Sequence, residues 1–231
     1  MSPRRFLDQF ETLLLDMNGT FMFGHDRFGP AEDYFATYRA LGGRGMGRED
    51  LLAVWNPSLA TLLTLYETAS RFDDFPPLSE VFTDHGAPAN EIPVLERVFA
   101  AHEIGDVPDE HAAFIRDLSR THDLGVVSNL CSHPDTWLRT CPSAEVFTHF
   151  KALVFSSEGR SIKPSSALFR RALAQFPAGR SVLFIGDSLD RDITPAKALG
   201  LSTVWVAPEG SAHPDADRVV QTLMELNRLH A

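Results

Sequence analysis

Only two cysteines, Cys131 and Cys141, occur in 231 residues, and neither sits in a CxxC or zinc-like spacing. That excludes a disulfide framework and points to a reducing compartment. The nine histidines form no HxH or HxxxH group, so a transition-metal site is not expected. No apolar run approaches the ~20 residues that span a bilayer. Near the start, Arg4-Arg5 is followed by Asp8, Glu11 and Asp16, which interrupt any signal-like apolar stretch, so a cytoplasmic location is expected. Basic residues are the scarcer sign: 21 Lys and Arg against 31 Asp and Glu leave a net charge of -10. Such a surface repels phosphate backbones and anionic lipid, which argues against nucleic-acid and membrane partners. A small anionic substrate stays possible where a local cation reverses the field. There is no internal repeat and no low-complexity segment. Tyrosine and tryptophan number three each beside 17 phenylalanines.

The composition that remains, 44% hydrophobic and 23% charged, is that of a globular chain, long enough for one domain carrying an insertion. Four short apolar runs each end at polar residues: 12–16 at Asp16, 124–129 at Ser128-Asn129, 152–156 at Ser156 and 182–187 at Asp187. A fifth, 202–207, ends before Pro208. Runs rich in β-branched and aliphatic residues suit strands buried on both faces of a parallel sheet. Helical spacing recurs over 165–175, 193–199 and 215–229, the last through Val219, Leu223 and Leu226. The alternation from about residue 120 predicts an α/β architecture with right-handed crossovers. Between Phe21 and Gly105 the pattern is helical only, over 31–41, 49–69 and 90–102. The expected organisation is therefore a Rossmann-like three-layer core of 1–20 and 106–231, with an α-helical cap at 21–105. Trp55, Tyr66 and the phenylalanines at helical spacing are read as the packed interior of that cap.

In an open parallel sheet, ligands sit beyond the carboxyl ends of the strands, where Asp16, Ser128, Asn129 and Asp187 would gather. The residues there carry a resemblance. Asp16-Met17-Asn18-Gly19-Thr20 resembles the first motif of the haloacid dehalogenase (HAD) superfamily, normally DxDGT. Ser128-Asn129 is similar to the second motif, and Ser156 to Pro164 to the segment carrying the family lysine, here Lys163. Gly186-Asp187-Ser188-Leu189-Asp190-Arg191-Asp192 is similar to the acidic fourth motif. The order and spacing agree from about Leu13 to Leu201, and the insertion resembles the helical cap of the family's first subgroup.

The resemblance implies a hydrolase in which Asp16 is the nucleophile and forms an aspartyl intermediate. It implies Mg²⁺ held by Asp16, Asp187, Asp192 and the backbone carbonyl of Asn18. Thr20, Ser128 and Asn129 would contact the phosphoryl group of a small phosphorylated substrate, and Lys163 would stabilise the nucleophile. His25 and Arg27, after the first motif, are candidate substrate contacts. Cys131, with no activating partner in the sequence, is read as a packed thiol.

Asn18 departs from the pattern, because family phosphatases place a second aspartate there as general acid and base. An amide orients water but carries no proton at neutral pH. Three readings stay open: a Mg²⁺-dependent phosphatase or phosphotransferase weakened at this step, a 2-haloacid dehalogenase-like enzyme, and a low-activity scaffold that binds a ligand.

Overall fold

Leu13 and Leu15 point to one face of a sheet and Leu14 to the other, and all three are fully buried. The computed structural model, which describes residues 5–230, sets six parallel strands side by side, the central ones buried on both faces in this way. They are β1 (Thr12–Leu15), β2 (Asp123–Ser128), β3 (Ala152–Phe155), β4 (Val182–Gly186), β5 (Ser202–Val206) and β6 (Arg218–Val220), in the order β3-β2-β1-β4-β5-β6. The residues at the two expected ends of the core, 1–4 and 231, lie outside the described residues. Register sets the site: Leu15 pairs with Val126 on one side and Ile185 on the other. Asp16, Ser128 and Asp187 therefore emerge at one edge, with the strand order reversing at β1.

Two apolar layers cover the sheet. On one face Leu13, Leu15, Val126, Ile185 and Val204 pack with Phe114, Ile115 and Leu118 of α5 (Asp109–Leu118) and with Leu223 and Leu226. On the other, Leu14, Val127, Val154 and Phe184 meet Leu168, Phe169 and Ala172 of α6 (Ser166–Leu173) and Ala196 of α7 (Thr194–Ala198). The fold is the expected α/β three-layer type. The α5 helix lies ahead of the region where alternation was anticipated. Pro108 before it and Asp109-Glu110 in its first turn are ordinary helix-start chemistry.

The expected helix over 215–229 is not formed. Arg218–Val220 instead pairs in parallel with β5, and Leu223–Arg228 is a 3₁₀ segment. Two β-branched residues, Val219 and Val220, suit the open edge of β5, and Asp217 fastens the segment there. Its carboxylate accepts from the Thr203 N–H at 3.0 Å and pairs with Lys197 at 2.5 Å. Leu223 and Leu226 reach the core at a three-residue spacing that a 3₁₀ turn satisfies as well as an α-helix.

Residues 34–103 carry four helices: α1 (Tyr34–Ala40), α2 (Arg48–Tyr66), α3 (Leu78–Asp84) and α4 (Ile92–Glu103). They bury a separate apolar cluster, in which Trp55 lies 4.8 Å from Tyr34 and 5.8 Å from both Phe82 and Phe99 by ring centroids. Inside it Glu91 is buried but satisfied, accepting from the Tyr38 hydroxyl at 2.6 Å and the Gly45 N–H at 3.1 Å. The chain leaves and re-enters the sheet layer at one place, where Phe23 and Asp106 exchange two backbone hydrogen bonds of 2.9 Å. A Cβ on Gly105 would stand 2.2 Å from the Phe23 carbonyl oxygen, so only glycine permits that crossing.

Candidate active site

Asp16 is the first residue beyond β1, and its N–H still donates to the Ile185 carbonyl at 2.8 Å. That bond fixes the backbone from which the carboxylate projects. The turn after it is tight, since the Met17 carbonyl accepts from the N–H groups of Phe21 and Met22, both at 3.0 Å. Gly19 at φ +77° completes it, and a Cβ there would lie 2.3 Å from Asp187 Oδ2. The glycine thus serves two ends, a left-handed turn and the approach of the loop to the fourth-motif carboxylate. A Cβ on Gly186 would similarly lie 2.6 Å from the Asp192 carboxyl group, which folds back over that residue and accepts from the Ser188 N–H at 3.1 Å.

The Asp16 carboxylate accepts from Ser128 Oγ at 3.0 Å and from Lys163 Nζ at 2.5 Å, through one oxygen. The same ammonium donates to Asp192 Oδ1 at 2.6 Å, and all three groups are buried. Burial disfavours the charged ammonium, but the adjoining Asp16 and Asp192 carboxylates outweigh it and hold Lys163 above its ordinary range. Burial raises Asp192 to about 7, with Asp16 and Asp187 adding to the effect and Lys163 opposing it. Asp187, the exposed member, rises to about 6 through partial loss of water and the Asp16 charge.

Asp16, Asp187 and Asp192 can bring one oxygen each to within 4.8 Å of one another. Hard oxygen donors and a glycine cradle against Asp187 fit Mg²⁺ better than any soft metal. Exchanging Lys163 for Met is expected to destabilise the fold by about 3–5 kcal/mol, because two buried carboxylates lose their shared cation. Denaturant melts with and without Mg²⁺ would check this, with the added cation restoring part of the loss.

The site opens into a cavity of about 630 Å³ between the strand ends and the helical layer. Asn18, His25, Ser128 and Asn129 line it together with the three aspartates and Lys163. The Asn129 amide is already committed: it donates to the Lys163 carbonyl at 3.1 Å and the Tyr66 hydroxyl at 3.2 Å, and accepts the Lys163 N–H at 2.7 Å. Asn129 therefore positions the lysine. Thr20 is buried with its hydroxyl unpartnered and is not among the lining residues. Arg27 is placed elsewhere, which corrects the expectation of a substrate contact. Its guanidinium donates to the carbonyls of Gly24, Ala101 (2.5 Å) and Ile104 (3.1 Å), closing the carboxyl end of α4.

Three lining residues have roles that the sequence did not reveal. Arg191 stacks on Tyr66, 3.7 Å from the ring centroid, while donating to the carbonyls of Tyr66 (2.8 Å) and Lys163 (2.9 Å). Tyr66, expected in the helical cluster, packs against it and also stands at this junction with the strand ends. Glu103 ends α4 with a buried carboxylate that accepts the N–H groups of Cys131 at 2.7 Å and Ser132 at 2.8 Å. Burial lifts it to about 7 against those two bonds. An acid at a helix carboxyl end opposes the helix dipole, and that mismatch was its one sequence-level signal. Burial and the neighbouring Glu103 and Asp26 push the Cys131 thiol well up, as suits a packed thiol.

Residues 162–226 match a family model described as HAD-hydrolase-like. Among curated proteins, the chain is 29% identical over 110 residues to the HAD-hydrolase YfnB of Bacillus subtilis, covering 47% of this chain and 45% of that one. It is 37% identical over 79 residues to haloacid dehalogenase-like hydrolase domain-containing protein 3 of Danio rerio, covering 33% and 31%. The chain thus aligns with less than half the length of either relative. Three solved structures share its fold. A magnesium-bound YfnB from Bacillus subtilis superposes with a TM-score of 0.58 at 22% identity, over 95% of this chain and 98% of that one. A HAD phosphatase from Thermococcus onnurineus gives 0.59 at 21%, over 94% and 96%. A 2-haloacid dehalogenase from Pseudomonas syringae gives 0.62 at 18%, over 95% and 97%.

Proposed function

We propose that this haloacid dehalogenase-like hydrolase is a Mg²⁺-dependent phosphoryl hydrolase acting on a small phosphate monoester through Asp16. The observation that carries the reading is the charge of the cluster. With every group ionised, Asp16, Asp187 and Asp192 against Lys163 give -3 + 1 = -2, the deficit that one divalent cation fills. Bound there, Mg²⁺ would lower the charge on a phosphoryl group and on the carboxylates that face it. Asp16, Asp187 and Asp192, with the Asn18 carbonyl, are the residues that would hold it.

The side chains supply the rest. Lys163 and Ser128 fix Asp16 through the oxygen Oδ1, so the second oxygen is the one presented for in-line attack on phosphorus. The same lysine also ties Asp16 to Asp192, bridging the two carboxylates with one ammonium. The helical layer over 21–105 acts as a cap that limits water around the reacting groups. An acidic surface outside and a cation inside suit a small anionic substrate rather than nucleic acid. Among the described residues no helix is long and apolar enough to cross a membrane.

Incubation with acetyl phosphate and Mg²⁺ tests the reading. Asp16 is expected to gain the mass of one phosphoryl group, detectable by intact mass and peptide mapping, and chelator is expected to prevent it. Unlabelled protein would overturn the proposal. A second reading is favoured by Asn18, since attack on carbon in a 2-haloacid needs neither a proton donor there nor a metal. Halide release in the presence of chelator would support that reading.

Mg²⁺ binding should weaken as pH falls through about 7 and then about 6, where protons return to Asp192 and Asp187. Both groups are raised, so acid competes with the cation across that window. The apparent affinity by calorimetry is expected to drop about tenfold per pH unit for each displaced proton.

A further inference from the structure

We propose that the substrate is an aryl phosphate, the monoester of a phenol whose ring system carries no second charge. The inference rests on the phosphoryl reading of Asp16 and adds the identity of the leaving group. Two independent features support it.

The first is the wall that the helical segment gives the cavity. Phe28, Leu59, Leu62, Leu63, Phe75 and Phe99 line that part of the cavity. Sugar hydroxyls set against this surface would lose their water without gaining partners, whereas an aromatic ring loses nothing polar. The cavity's about 630 Å³ lies within the range that holds a ring system of drug size. Its cations are already engaged: Lys163 by Asp16 and Asp192, Arg191 by two carbonyls and the Tyr66 face. Of the other ionisable groups lining the cavity, Asp26 and Glu103 are acidic, and His25 faces Asp26 at 3.8 Å. A second phosphate or a carboxylate on the substrate would therefore meet two groups of its own sign and no free lysine or arginine, with the one histidine already facing Asp26.

The second feature is Asn18. In the step proposed, an Asp16 oxygen forms a bond to phosphorus while the bond from phosphorus to the aryl oxygen breaks. The electron pair departs with the phenoxide, which takes its proton from solvent. A phenol ionises near pH ~10, as tyrosine does, whereas an alkyl alcohol resembles water at ~16. The phenoxide leaves without a donated proton and the alkoxide does not, so a site with an amide at position 18 suits the former. Water then attacks phosphorus, the bond to Asp16 breaks, the carboxylate is restored, and both water hydrogens remain on dihydrogen phosphate. That second step also lacks a proton acceptor at Asn18 and is the slow one.

Rapid mixing of the full chain with Mg²⁺ and naphthyl phosphate, a hexose phosphate or acetyl phosphate separates the possibilities. Naphthyl phosphate is expected to release about one equivalent of naphthol per chain in a burst, followed by slow turnover. Its kcat/KM should exceed that of the hexose phosphate at least tenfold. Acetyl phosphate needs neither the apolar wall nor a proton donor and reports Asp16 chemistry alone. If it labels Asp16 while naphthyl phosphate reacts no faster than the hexose phosphate, the aryl assignment is overturned and the phosphoryl reading stands. If none of the three labels Asp16, both fall. Leu63, exposed on α2 at the cavity wall, allows a substitution that folding tolerates. In Leu63→Lys the preference for naphthyl over hexose phosphate is expected to shrink several-fold, and an unchanged ratio would also overturn the assignment.

Discussion

Asn18→Asp is expected to raise steady-state turnover of alkyl phosphates by ~10²–10⁴, the usual worth of a positioned proton carrier. Asn18 lines the cavity beside Asp16, and its buried Oδ1 has no hydrogen-bond partner, so a carboxyl of the same shape fits without displacing a contact. The new group would donate a proton to the departing oxygen and then take one from the water that clears the aspartyl intermediate. Both steps gain, so the naphthol burst should shrink as the second step ceases to lag. Phosphate release from a hexose phosphate in Mg²⁺, wild type beside variant, is the measurement. Equal rates would mean that proton transfer at this position does not limit the reaction.

The larger loss is expected from Asp16→Asn, made in the Asn18→Asp background so that a measurable rate exists to lose. Removal of a nucleophile lowers turnover by ~10⁴ or more in enzymes that work through a covalent intermediate. Here the substitution separates chemistry from structure. An asparagine Oδ1 can still accept from Ser128 and Lys163, and Lys163 keeps Asp192 as its anionic partner. The variant should therefore fold and melt much like its parent while neither turning over nor gaining phosphoryl mass at position 16. A variant that retained turnover would remove Asp16 from the mechanism altogether.

The strands and the gathering of Asp16, Ser128 and Asp187 were legible because strands buried on both faces must be apolar throughout. Polar residues then mark where each strand ends. The segment 215–229 was not, since a three-residue edge strand leaves too short a pattern to compete with a helical one. Side chains that serve backbone groups were equally hidden. Arg27 satisfies the end of α4, and Arg191 divides itself between Tyr66 and the Lys163 carbonyl. Neither partner is near in sequence, and nothing in an arginine's neighbours tells which carbonyl it will reach. The same holds for Asn129, which the motif presents as a substrate contact and the fold uses to set the lysine.

Because Phe23 and Asp106 are joined by a reciprocal pair of hydrogen bonds, the chain's long excursion begins and ends on adjacent residues. The six-stranded sheet is indifferent to what lies between them. A segment with its own apolar cluster and a closed doorway can be lengthened, trimmed or exchanged for another without altering any strand pairing. The chemistry of phosphorus and the choice of what carries it thus lie in two pieces that meet through side chains crossing between them, Tyr66 and Glu103 among them. A chimera bearing a foreign helical segment between these two residues would keep every strand, and would inherit the reaction only if the newcomer replaced what Tyr66 and Glu103 hold in place.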